Sequence, residues 1–332
     1  MTERLIEAGG LMVLPRLRVQ NANAVSGPLT WGFPSPTAFT GFVHALERRL
    51  SLPPERGFGG VGIVCHGFEA QTSRPAGRQT RVFHLNRNPV GKEGGSSSLV
   101  EEGRAHLEVT LVIAVREVLD EYDGALLVRS AFEATHGMRL AGGSLLPPRC
   151  GQHYQPQWIV LPDDLEGQQE VFRLLRRSLL PGFALVQRND LLEQRLAELQ
   201  AMPSSYRLRP DTPASALDAL LDLCRLNIEP GAASAGDPDQ AEWAVSKHPG
   251  WLVPLPIGYA GISELYPPGE VANARDGETP FRFVESLYSL GEWVGPHRLQ
   301  RLQQLLWQTE SDAERGIYRC VNRYGETLPH PN

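Results

Sequence analysis

Residues 105–115 alternate without a break: Ala105, Leu107, Val109, Leu111, Ile113 and Val115 fall on one side, and His106, Glu108, Thr110 and Val112 on the other. A period of two is the signature of a strand with one buried face. LMVLPRLRVQ, residues 11–20, carries the same signal, with Val13, Pro15, Leu17 and Val19 set against Leu14, Arg16, Arg18 and Gln20. Arg16, Arg18 and Gln20 are therefore expected to share an exposed face. Pro15 lacks an amide hydrogen and calls for an irregular or bulged position there. Between these two strands Ser35 reads as an N-cap with Pro36 at the first helical position, and Phe39, Phe42, Val43, Leu46 and Leu50 follow at helical spacing. A further strand is expected near 61–71 (VGIVCHGFEAQ), a helix near 120–135 and a strand at QWIVLP.

The resulting order, β-α-β-β-α-β, is that of ferredoxin-like, RNA-recognition folds, and the fold class expected is α+β. The segment SRPAGRQTRVFHLNRNPVGKEGGSSS interrupts it, and its Arg, Gly and Ser content and Pro-Ala-Gly turn predict a flexible hairpin protruding over about residues 72–104. With 332 residues, at roughly 150 per domain, the chain has room for about two domains. The expected division is a core over 9–188 and a mixed, helix-rich extension over 189–332. In that extension DLLEQRLAELQ, ASALDALLDLCRL and PHRLQRLQQLLW read as helices from apolar positions three and four apart, as DDLEGQQEVFRLLRRSLL does before it. GAASAGDPDQAE reads as a surface loop.

The formal charge is −6, which argues mildly against nucleic acid, yet the average hides a gradient. Residues 9–92 hold ten basic and three acidic side chains, a net of +7, and residues 93–332 carry −12. Only two basic residues are lysines, Lys92 and Lys247. Arginine suits phosphate forks and base stacking, although a GC-rich genome raises it equally. Hydrophobic residues at 41% and charged residues at 21% exclude wholesale disorder. No apolar run approaches the roughly 18 residues of a spanning helix, and no leader pattern opens the chain, so a cytoplasmic location is expected. Cys65, Cys150, Cys224 and Cys320 are too scattered for a zinc site and read as reduced core thiols.

Three groups of residues suit RNA. Arg16, Arg18 and Gln20, continued by Asn21, Asn23 and Trp31, combine phosphate forks, amide groups for base edges and a stacking indole. Arg74, Arg78, Arg81, Arg87 and Lys92 give five positive charges with no acid between Gln71 and Lys92, with Phe83 and His84 interleaved. MRLAGGSLLP supplies Met138, Arg139 and Gly142, in a glycine turn where backbone amides can approach a phosphate. The same features also describe a solvated strand face, a soluble loop and a plain turn. Catalytic motifs are absent: there is no GxSxG, HExxH, Walker loop or dinucleotide fingerprint. His66 and His84 lie near the basic region and leave metal-independent RNA cleavage as an alternative. A protein scaffold with little RNA contact is the other.

The run LPRLRVQNANAVSGPLTWGFPSPTAFTGFVHALERRL, residues 14–50, resembles the Cas-five-type subunit of the type I-F CRISPR surveillance (Csy) complex. The resemblance continues through VGIVCHGFEAQTSRPAGRQTRVFHLNRNP, MRLAGGSLLP, RRSLLPGFALVQR and the long stretch from PGWLVPLPIGYAGISELYPPG to GEWVGPHRL. It implies a ferredoxin-like RAMP core with a thumb-like hairpin. It also implies that the subunit binds the 5′ handle of CRISPR RNA with a large Cas-eight-type subunit, next to a Cas-seven-type backbone subunit. It implies no catalysis, since cleavage falls to a separate subunit, and no cofactor or metal; target DNA is a further candidate partner. The handle cradle is then expected at Arg16, Arg18, Gln20, Asn21, Asn23, Trp31, Met138 and Arg139, and the thumb at 74–92, with Phe83 wedged beside a displaced nucleotide.

Overall fold

The computed structural model describes residues 8–148, 154–202, 212–230 and 243–328. In chain order the first half comprises β1 (Gly10–Asn23), α1 (Pro36–Arg49), β2 (Phe58–Ala70), β3 (Thr72–Ser73), β4 (Val82–Arg87), β5 (Leu99–Glu102), β6 (Arg104–Val115), α2 (Glu121–Thr135), β7 (Arg139–Leu140), β8 (Gly143–Leu146), β9 (Gln157–Val160), α3 (Leu165–Ser178) and β10 (Phe183–Gln187). There follow α4 (Asn189–Ala201), α5 (Ala216–Cys224), β11 (Asn227–Pro230), β12 (Trp243–Ser246), β13 (Leu252–Gly261), β14 (Val284–Val294), β15 (Leu306–Asp312) and β16 (Ile317–Asn322).

The helix starts follow the sequence signals. Ser35 caps α1 by accepting from the Thr37 amide, with Pro36 first in the helix, and Asp120 caps α2 through the Asp123 amide. The apolar stripe Phe39, Phe42, Val43 and Leu46 of α1 is buried. All pairings of the main sheet are antiparallel; β2, β6 and β1 lie side by side, and β8 and β9 both pair with the free edge of β1. Met12, Leu14, Leu17, Val19, Leu107, Val109 and Leu111 meet α1 and α2 on one face. Leu11, Val13, Val64, Val112 and Ala114 meet Phe172 and Leu175 of α3, and Leu179 just after it, on the other.

The strand β1 departs from simple alternation. Its register against β6 shifts between Leu14 and Leu17 and again between Val19 and Ala22. Arg16 and Asn21 take positive φ values of 50° and 59° at these two bulges. The first bulge brings Leu14 onto the inner face with Leu17 and Val19 and takes Val13 to the opposite one, reversing the sides expected for both. Arg16, set in this bulge, turns onto Glu108, the residue across from Arg18.

The extension is richer in strands than its helical spacing suggested. PHRLQRLQQLLW is two 3₁₀ turns, at Pro296–Arg298 and Leu302–Gln304, leading into β15. β15 and β10 both pair with the outer edge of β2, and β14, β13 and β16 link them, so the pairings from β2 through β10, β14, β13, β16 and β15 return to β2 as a ring. That closure removes the open edge that β2 would otherwise present. Cys65 and Cys224 are half-buried and Cys320 is buried, all unpaired, and burial pushes each thiol up to about 11, so they stay protonated. Cys150 and the expected loop GAASAGDPDQAE lie outside the described residues. Among the described residues no helix is long and apolar enough to cross a membrane, and no group of side chains is arranged to hold a metal ion.

Candidate nucleic-acid interface

Helix α3 covers only the end of its sheet face where Leu11, Val13, Val112 and Ala114 lie. The rest stays open as a groove of about 430 Å³, floored by Arg18, Gln20, His106, Glu108 and Glu69 and bounded by Leu146 and by Gly67 and Phe68. Register places Arg18 across from Glu108 on one side and Leu146 on the other, and Glu69 across from His106. The groove carries charge of both signs.

Arg16 is spent inside the protein. Its guanidinium pairs with Glu108 at 3.0 Å and lies over the Tyr154 ring at 4.9 Å; the two charged side chains are 12% and 24% exposed. It thereby neutralises Glu108 at the groove floor. Arg18 has no acidic partner among the described residues and reaches only the Pro147 carbonyl, at 3.4 Å. Gln20, Asn21 and Asn23 are exposed.

Next to this, Arg16 and His66 share Thr110. The Arg16 amide donates to Thr110 Oγ1 at 3.1 Å, and the Thr110 hydroxyl sits 2.7 Å from His66 Nε2 while His66 Nδ1 is 2.7 Å from the Pro181 carbonyl. A carbonyl only accepts, so Nδ1 carries the proton and Nε2 accepts from Thr110. Burial, aided by the nearby Arg16 charge, holds the His66 pKa below its ordinary value. Both ring nitrogens of this histidine are occupied within the protein.

The far end of the groove gathers most of the other candidates. Gln71 donates to Asn21 Oδ1 and lies 3.1 Å from His106 Nε2, and Arg104 donates to the Asn21 carbonyl. The β7–β8 turn meets them there: the Asn23 amide donates to the Ala141 carbonyl at 2.8 Å. Ala141 and Gly142 both have positive φ, 49° and 74°, as a two-residue hairpin turn of this twist requires. Arg139 and Gly142 are exposed, Met138 packs against the core, and Gly143 is pressed on β1, where an added Cβ would meet the Gln20 carbonyl at 2.7 Å. The second glycine thus serves strand packing instead of opening a phosphate cradle.

The inserted hairpin springs from the same end, between β2 and β6, as a separate sheet of β3, β4 and β5. Arg74, Arg78, Arg81, Arg87 and Lys92 are exposed, and none forms an ion pair with a described residue. Phe83 does not project freely: it meets the Trp31 ring edge-on at 5.4 Å. Trp31 is 59% exposed and forms part of an aromatic cavity beside the groove. Its other walls come from Phe33, Phe68, Phe183, Trp251 and Trp293, which sequence reasoning missed because they are far apart in the chain and meet only through the β10–β2 and β10–β14 pairings. No local pattern signals that meeting.

One large antiparallel sheet, helices packed on both its faces, a half-covered stretch of sheet and a basic projecting hairpin define the class: a mixed α+β protein with an open groove. Comparison with known proteins narrows that class, because the family described as CRISPR-associated protein (Cas_Csy2) matches residues 12–320. A protein called CRISPR-associated protein Csy2, from Pseudomonas aeruginosa (strain UCBPP-PA14), is 51% identical over 317 residues, covering 93% of this chain and 94% of that protein. The chain belongs to the Csy2 family of CRISPR-associated proteins.

Proposed function

We propose that this chain is the non-catalytic, Cas-five-type subunit of a type I-F CRISPR surveillance complex and binds the 5′ handle of CRISPR RNA together with the large Cas-eight-type subunit. The observation that carries the reading is the open groove with Arg18, without an acidic partner among the described residues, and Gln20 on its floor, ending where the basic hairpin projects. A single strand laid there meets the Arg18 guanidinium for a phosphate and the Gln20 amide for a base edge. The order β9–β1–β6–β2, with α1 and α2 on one face, supports a ferredoxin-like RAMP core, and the hairpin suits the thumb of such a subunit. The engagement of both His66 nitrogens favours binding over cleavage, since a general base needs a free one. The acidic remainder of the chain suits contacts with protein subunits, a Cas-seven-type backbone subunit among them.

The test is a tagged pull-down from cells expressing the CRISPR array and the other subunits, with the bound nucleic acid's 5′ ends sequenced. The expected product is a discrete RNA with one constant repeat-derived 5′ end, recovered with the large subunit and lost in Arg18→Glu. Recovery of protein partners without RNA would replace this reading with a protein scaffold.

A further inference from the structure

The second bulge of β1 puts Asn21 at a φ of 59°, a left-handed conformation that Asn tolerates and bulky residues do not, and there it meets both ends of the inserted hairpin. Gln71, just before β3, donates from its side chain to Asn21 Oδ1, and Arg104, at the start of β6, donates to the Asn21 carbonyl at 3.3 Å. The Asn21 amide donates to His106 Nδ1 at 3.3 Å. One residue thus ties the groove floor to the two points where the hairpin leaves and rejoins the sheet.

The tie extends into the hairpin itself. Arg104 forks onto Glu102, with Nη2 3.2 Å from Oε1 and Nε 3.2 Å from Oε2, and Glu102 accepts from the Asn86 side chain on β4. Backbone bonds close the base: the Gln71 amide donates to the Arg104 carbonyl and the Ala24 amide to the Gly103 carbonyl, both at 2.8 Å. A Cβ added at Gly103 would stand 2.5 Å from Val25 and 3.4 Å from Phe83, and Phe83 meets Trp31. The hairpin base is therefore held in two ways, by polar groups at Asn21 and by packing at Val25 and Trp31. Beyond that base Arg74, Arg78, Arg81 and Arg87 are exposed, with no ion pair to a described residue.

We propose that Asn21 is a positioning residue: it sets the angle at which the hairpin stands to the groove and strengthens RNA binding through the hairpin's arginines, with no RNA contact of its own. The proposal rests on the RNA-binding reading and adds to it a residue that acts through another element. A charged arm that swings must be ordered when RNA binds, and a base held in advance removes that cost. Asn21 Oδ1, the acceptor that a base edge would use, already receives Gln71. A glycine at this position takes the same left-handed backbone and keeps both main-chain bonds, so replacing Asn21 by glycine removes the side-chain tie alone.

The experiment is a double-mutant cycle on the full-length chain, read by anisotropy with a fluorescein-labelled single-stranded RNA of its own repeat's 5′ handle. Asn21→Gly is expected to weaken binding about fivefold, the order of the cost of fixing a few hinge groups on binding. It should also lower the slope of log affinity against log salt, because fewer phosphates are neutralised, and leave the urea unfolding midpoint unchanged. In a chain whose Arg74, Arg78, Arg81 and Arg87 are already serine, the same replacement should change neither affinity nor slope. Gln71→Ala, which leaves β1 intact, should reproduce both results, and it carries the test if Asn21→Gly lowers the midpoint. Equal losses with and without the four arginines would mean that Asn21 touches RNA itself and would overturn the proposal. So would unchanged affinity of both Asn21→Gly and Gln71→Ala in the arginine-bearing chain. If the unaltered chain, alone and in its purified complex, does not bind the handle RNA, the RNA-binding reading fails and the positioning role with it.

Discussion

Two arginines two positions apart on β1 have opposite surroundings, and they separate stability from binding. Arg16 is locked to Glu108 and Tyr154, whereas Arg18 faces the groove and forms no ion pair with a described residue. Arg16→Glu sets one carboxylate against another and frees a half-buried Glu108, so a loss of about 2–4 kcal/mol in urea denaturation is expected. Arg18→Gln should leave the unfolding midpoint unchanged and weaken RNA binding in an anisotropy titration; the reverse outcome would exchange the roles of the two residues. The sequence showed both arginines but not this difference, because it depends on the bulge at Pro15–Arg16, and alternation carries no mark of a positive φ. His66 gives a pH test. Its folded pKa lies below the ordinary 6.5, so the unfolded chain takes up a proton first as pH falls, and stability declines below about 6.5 until the folded pKa is reached. Arg16, Glu108, Thr110 and the Pro181 carbonyl are the groups facing it. His66→Gln should flatten the stability slope between pH 7 and 5, measured by urea midpoints at each pH; an unaltered slope would mean other groups set it.

At the scale of elements, the packing of α2 on β9 overrides helix propensity. Gly124 lies inside α2, where alanine would ordinarily favour the helix by about 1 kcal/mol. An added Cβ would sit 2.2 Å from the Trp158 ring, and one added at Gly10 would sit equally close to the same ring. Gly124→Ala should therefore destabilise the chain by about 1–2 kcal/mol, with overpacking outweighing propensity. A gain in stability would show that Trp158 can swing aside. The inserted hairpin should act through charge alone. Replacing Arg74, Arg78, Arg81 and Arg87 with serine should lower the slope of log affinity against log salt by about 0.7 for each phosphate that the hairpin no longer neutralises, with no change in melting. The hairpin, α1, α2 and the glycine turn were legible because caps, turn residues and periodicity agree locally. PHRLQRLQQLLW was misleading for a physical reason: Leu299, Leu302 and Leu305 are buried three apart beneath 3₁₀ turns, and a turn of three residues repeats the spacing that a helix uses.

At the scale of the whole molecule, the expected division near residue 188 falls between β10 and α4, yet the strands beyond it return to the first half. Leu306 and Trp307 pair with Gly62 and Val61, the Trp307 indole donates to the Leu185 carbonyl at 2.8 Å, and the side-chain oxygens of Gln187 and Asn322 each accept from the other residue's backbone amide. Trp293, Trp307 and Cys320 share one core with Met12, Phe39 and Ile63. Removing residues 189–332 would expose that core and the outer edge of β2 together, which local sequence patterns could not reveal because every one of these contacts is long-range. The full chain is expected to unfold in one step: far-UV circular dichroism, which follows the helices and sheet, and tryptophan emission, which draws on both halves through Trp158, Trp293 and Trp307, should give the same urea midpoint. A chain ending at residue 188 should be recovered as aggregate or as a species without a cooperative transition. Separate midpoints for the two signals, together with a soluble, cooperatively folding 1–188 fragment, would show instead that the ring joins two units able to stand alone.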